Sequence, residues 1–217
     1  MYQYAEQLLD LIEKSPSRYH ATANLKNRLT AEGYAVLAED AAWDVRPGGR
    51  YVVTRNDSSL LAFRVPEGGV TGFALAAAHS DSPTFQIKEH AEKLSARCTV
   101  LDTEKYGGML MNTWFDRPLS VAGRIIVERD GKLEARLADV DRDLMIIPSV
   151  AIHMNRAAND GVKLLANVDT FPLLGCGAQD LRAIVAEAAG VAPEQILGHD
   201  LFLYLRGRGS ILGAEGE

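Results

Sequence analysis

The sequence predicts an α/β protein carrying a long β-rich stretch, and three observations support this. Helical periodicity with clear stop signals fills the first 33 residues. An uncharged apolar run, Phe73-Ala74-Leu75-Ala76-Ala77-Ala78, then leads into His79-Ser80-Asp81-Ser82-Pro83. After Lys88 the helical period gives way to short alternating segments.

The elements follow in order. Tyr4 to Glu13 places Leu8, Leu9, Leu11 and Ile12 at helical spacing, and Ser15-Pro16-Ser17 breaks that helix and can cap the next. The second helix spans Arg18 to Glu32, with Ala21, Leu25 and Leu29 on one stripe and Gly33 as the stop. Tyr51 to Thr54 and Leu60 to Val65 read as strands joined by the turn Asn56-Asp57-Ser58-Ser59. Phe73 to His79 reads as a buried strand ended by Pro83. Val121 to Glu128 and Leu133 to Leu137, around Asp130-Gly131, carry a hairpin signature. Helical spacing returns near Gln179 with Leu181, Ile184, Val185 and Ala188, ended by Gly190. Pro193 to Leu197 adds a helical turn, and Leu201 to Leu205 reads as a strand.

With 217 residues the chain has room for one domain or two small ones. A net charge of -6 argues against a nucleic-acid partner. No apolar stretch approaches the ~20 residues of a membrane helix, so no membrane partner is expected. The N-terminus shows no basic region followed by an apolar one, hence no signal peptide. Cys98 and Cys176 form neither a disulfide framework nor a CxxC pattern; both read as buried small hydrophobes in a reducing, cytoplasmic setting.

The chemistry concentrates at the end of the apolar run. Polar groups that follow a buried strand sit at its C-terminal mouth, where open α/β sheets place their sites. Alternation puts His79 and Asp81 on one side of an extended segment. A carboxylate there can orient the imidazole toward a divalent metal. Taken alone, the triplet is better read as a strand-end His hydrogen-bonded to Asp81.

The longer context changes that weighting. Ser15-Pro16-Ser17-Arg18-Tyr19-His20-Ala21 lies upstream, followed by Gly48-Gly49-Arg50-Tyr51-Val52-Val53-Thr54-Arg55-Asn56 and Ser58-Ser59-Leu60. Downstream stand Tyr106-Gly107-Gly108, Trp114-Phe115-Asp116-Arg117-Pro118-Leu119 and Ile147-Pro148-Ser149-Val150-Ala151-Ile152-His153-Met154-Asn155-Arg156. In order and spacing these blocks resemble the aspartyl aminopeptidase and vacuolar aminopeptidase I family of dinuclear zinc exopeptidases, over nearly the whole chain. The resemblance implies the opening part of a zinc-exopeptidase-type α/β domain with an inserted β-rich dimerisation domain. Residues 1–88 would be the first part of the catalytic domain, 89–198 the insert, and 199–217 the return to the catalytic domain.

It also implies a peptide substrate with a free N-terminus, two Zn2+ per active site, a metal-activated water as nucleophile, and a homo-oligomer. His79 would bind a metal, and Asp81 would be the catalytic-site carboxylate that orients it. In the family, a His in the block holding His153 reaches a neighbouring subunit's active site. That substrate-binding role stands level with a surface His at a strand end, since Ser149 occupies the place of a second His found in some members. The bridging Asp, the Glu-Glu pair, a further Asp and a final His of the family have no counterpart here. Gly213 to Glu217 resembles the approach to the bridging Asp. The expectation is a shortened member, inactive alone; the alternative is a non-catalytic assembly or binding module. Among the rest, His20 reads as a helix-start hydrogen bond, His90 and His199 as solvated, and Asp116-Arg117 as a local salt bridge.

Overall fold

The computed structural model describes residues 3–214. The chain forms two compact units, one made of the residues up to Ser82 together with those from Arg208 on, the other of Pro83–Gly207.

In the first unit, α1 (Gln3–Glu13) and α2 (Arg18–Ala31) precede a three-stranded sheet of β1 (Ala35–Leu37), β2 (Arg50–Arg55) and β3 (Ser59–Arg64). The Ser17 hydroxyl caps α2, accepting from the His20 N–H while bonding the His20 Nδ1 at 2.8 Å. Gly33, at φ 84°, closes the helix. β1 runs parallel to β2, and β2 antiparallel to β3. Asn56 and Asp57, both left-handed, make the turn between β2 and β3. The buried core of this unit is small: Tyr19 and Thr22 of α2 with Tyr51, Val52 and Val53 of β2.

The expected strand Phe73–His79 does not form. Residues 72–79 take no regular structure, and Phe73 and Leu75 are 86% and 89% exposed. An apolar run becomes a buried strand only when neighbours pair its backbone and cover both faces. Neither edge of the β1–β2–β3 sheet takes it up.

The second unit is a six-stranded antiparallel sheet in the order β7-β6-β9-β4-β5-β8. Its strands are β4 (Thr84–Ser95), β5 (Cys98–Tyr106), β6 (Leu119–Arg129), β7 (Lys132–Asp139), β8 (Leu173–Cys176) and β9 (Ile196–Leu205). Asp130 and Gly131, both at positive φ, form the tight turn between Arg129 and Lys132. The β9 strand begins five residues before the expected Leu201, because its first half pairs with β6 from Ile196 onward. Helix α3 (Leu181–Ala189) is capped by Asp180, whose carboxylate accepts from the Ala183 N–H, and ends at left-handed Gly190. It buries Leu181, Val185 and Ala186, whereas Ala188 is exposed. These join Phe85, Ile87, Leu101, Leu119, Val121, Ile125, Ile147, Leu201 and Leu203 in one core.

A close approach fixes one glycine. Gly123 of β6 lies beside β9, where an added Cβ would fall 2.0 Å from the Asp200 carbonyl oxygen. No helix among the described residues is long and apolar enough to cross a membrane.

Candidate functional site

The segment that carries His79 is held in place from the middle. The Ser80 hydroxyl donates to the Ser58 carbonyl at 2.8 Å, tying the extended chain to the turn between β2 and β3. His79 Nδ1 lies 2.9 Å from Asp81 Oδ1. When Nδ1–H donates to the carboxylate, Nε2 carries the lone pair and faces outward. The His79 side chain is 90% exposed and that of Asp81 31%. The pair can therefore offer one imidazole ligand, oriented by the carboxylate. Ser80 and Ser58 stand in the quoted segments, but the sequence alone assigns neither a role at the site. The available signal was a small polar residue at the alternate position between the His and the Asp.

His153 belongs to the other unit, on an exposed turn at residues 152–154. The blocks around Trp114 and Ile147, far apart in sequence, come together there. Phe115 bridges to Ile147, and the Asp116 N–H donates to the Ile147 carbonyl at 2.9 Å. Trp114 packs edge-on against Phe85, with ring centroids 5.5 Å apart. The expected Asp116–Arg117 ion pair is absent among the described residues. Asp116 instead accepts from the Ser149 N–H at 2.9 Å and from the Ser149 hydroxyl. Those hydrogen bonds hold its carboxyl below the usual carboxylate range. Its backbone is left-handed, at φ 57°.

Three further expectations change. The His199 side chain is only 16% exposed and lies 3.6 Å from the Glu89 carboxylate. Pairing of β9 inside the sheet buries it, which its local sequence does not announce. Cys176 is exposed and Cys98 half-buried, so neither is a core hydrophobe. Of the Gly213–Glu217 stretch, residues 215–217 lie outside the described residues.

Structural and catalytic zinc takes three or four protein ligands. Among the described residues no group of three or more His, Cys, Asp or Glu side chains is placed to hold a metal ion. His79 fits one position of such a centre, and the remaining donors are not assembled around it.

The comparisons with known proteins bear on this geometry. The family model described as "Aminopeptidase I zinc metalloprotease (M18)" matches residues 11–217. A "Probable M18 family aminopeptidase 2" of Clostridium acetobutylicum is 42% identical over 226 residues, covering 99% of this chain and 52% of that protein. Its counterpart in Pseudomonas aeruginosa is 40% identical over 220 residues, covering 97% and 51%. The chain thus spans about half the length of the curated relatives it matches. Among solved structures, that of the Ape4 and Nbr1 complex superposes with a TM-score of 0.93 at 31% identity, over 98% of this chain and 46% of that one. Chaetomium thermophilum mApe1 gives 0.88 at 27%, over 99% and 53%. The mApe1 dodecamer of S. cerevesiae gives 0.79 at 24%, over 99% and 50%, a likeness of fold alone. A match over nearly the whole chain, with the His-x-Asp pair at the end of its apolar run, places this protein in the M18 family of aminopeptidase I zinc metalloproteases.

Proposed function

We propose that this chain contributes to a zinc aminopeptidase that removes N-terminal residues from peptides. The observation that carries the reading is the His79–Asp81 pair, a 2.9 Å contact that leaves the outer imidazole nitrogen open, in a chain of this family. When bound, zinc supplies Lewis acidity that lowers the pKa of a water and polarises a carbonyl. Within the chain, His79 presents Nε2 as one ligand, Asp81 fixes its tautomer, and Ser80 holds the segment that carries both. The unit 83–207 would serve association, with His153 on its exposed turn offered to substrate in a neighbouring subunit. A homo-oligomeric assembly is part of the same reading, supported by the exposed apolar side chains of Phe73, Leu75 and Val150. A cytoplasmic setting belongs to the same reading, supported by two free thiols.

The incomplete donor set supports a further element of the proposal: these 217 residues do not turn over substrate by themselves. Elemental analysis after dialysis is expected to find less than one zinc per chain, and acidic or apolar aminoacyl substrates are expected to be cleaved at background rate. Two tightly held zincs per chain, or turnover lost in His79→Ala, would show that the chain assembles a complete centre.

A further inference from the structure

Cys98 opens β5 and Cys176 closes β8, and the two are directly opposite in the antiparallel pair. Their sulfurs are 3.7 Å apart, and both are free thiols. The neighbouring Gly177 N–H donates to the Arg97 carbonyl at 2.8 Å. That makes 97–177 a hydrogen-bonded pair and 98–176 a non-hydrogen-bonded one. In such pairs the Cα atoms approach to about 4.5 Å, within the range a disulfide spans. The surroundings fix this register on both sides. The Thr99 hydroxyl donates to the Gly177 carbonyl at 2.6 Å and accepts from the Gln179 N–H at 2.9 Å. Gln179 Nε2 donates to the Cys176 carbonyl at 2.7 Å. The two sulfurs, 3.7 Å apart in this register, are placed for a bond between them.

We propose that Cys98 and Cys176 are an oxidant-responsive thiol pair that closes to a reversible disulfide between β5 and β8. The oxidant is a peroxide. Cys176 is the more exposed residue and meets it first. Its thiolate attacks one peroxide oxygen, breaking the O–O bond, to give a sulfenic acid and hydroxide. The Cys98 sulfur then attacks Cys176 Sγ, forming the S–S bond and expelling the second hydroxide. The Cys98 proton and one from solvent convert the two hydroxides to water, and two electrons pass from the thiols to the peroxide. Cys98 donates its S–H to Cys176, and that hydrogen bond holds its pKa above the usual thiol value.

The bond acts on a weak place in the fold. β8 is a four-residue edge strand, and it anchors the end of the long irregular stretch 148–172. Stapling it to β5 closes a long loop of chain and removes the easiest way for that edge to open.

Stoichiometric hydrogen peroxide applied to the dilute chain tests this. Intact mass after alkylation in denaturant should show the loss of two hydrogens and no alkylated thiol. Dithiothreitol should restore both thiols. The chain has two cysteines, so the mass alone assigns the bond. The oxidised form should melt about 5–10 °C higher than the reduced form. Cys98→Ser should instead accumulate a sulfenic acid at Cys176 trapped by dimedone, and a Cys98→Ser/Cys176→Ser chain should show no oxidant effect on melting. Thiols that stay fully alkylatable, a covalent dimer, or sulfinic acid in place of the internal bond would each overturn the proposal, and these are read on the unmodified sequence without reliance on a variant's folding.

Discussion

Asp102 of β5 shows how single charges shape this molecule. Its carboxylate takes Lys93 Nζ at 2.5 Å and Lys88 Nζ at 3.0 Å, and these ammonium groups, Lys93 first, hold its pKa below the usual range. A depressed folded-state pKa gives stability that is present above the unfolded value of about 4 and is lost as pH falls through the folded one. Urea midpoints measured from pH 6 down to pH 3 should therefore fall, and Asp102→Asn should flatten that limb. Tyr204 works in the opposite sense. Burial, then its hydrogen bond to Asp139 at 2.6 Å, pushes the phenol well above its normal pKa, so the stability it adds is lost as pH rises beyond about 10. At Gly123 geometry decides. An added methyl meets a backbone carbonyl that cannot move aside, and Gly123→Ala is expected to cost about 2–4 kcal/mol in chemical denaturation. Some of this was legible in the sequence. His79 and Asp81, two apart on extended chain, could be expected to share a side. The burial of His199 could not, because it depends on strands β4 and β9, more than a hundred residues apart, meeting side by side.

Elements with complete local signals formed as expected. Asp130-Gly131 between alternating strands gave the β6–β7 hairpin, and Gly190 ended α3. Each needs only its own residues and a face to bury. The run from Phe73 to Ala78 has an equally strong composition and remains irregular. A buried strand depends on pairing partners, which its own residues do not encode. Its exposed side chains, together with Leu8 and Ile12 on the open face of α1, leave apolar surface of the kind that drives association. Sedimentation of the chain at micromolar concentration should show a dimer or larger species, and a stable monomer would count against that. Within the sheet, β6 is the central investment: Val121, Ile125 and Val127 all point into the core. Ile125→Ala should lower stability by about 3–4 kcal/mol, read as a shift in denaturation midpoint at unchanged slope.

At the scale of the molecule, the two units differ in how much core they own. The second has a continuous apolar centre between one face of its sheet and α3; the first has a handful of buried side chains along α2 and β2. Residues 83–207 expressed alone are therefore expected to unfold cooperatively, with calorimetric and van't Hoff enthalpies in agreement. The position of that unit's ends has its own consequence. β4 enters and β9 leaves as antiparallel neighbours, and the Thr84 hydroxyl donates to the Leu203 carbonyl at 2.5 Å just inside the two junctions. Once folded, the unit presents the flanking chain with two attachment points side by side, so the rest of the polypeptide need bridge no more than a short turn would. A piece attached in this way can be lengthened, trimmed or exchanged without altering the path of the chain that carries it, which makes the junction at Pro83 and Gly207 the natural place to graft or remove a module.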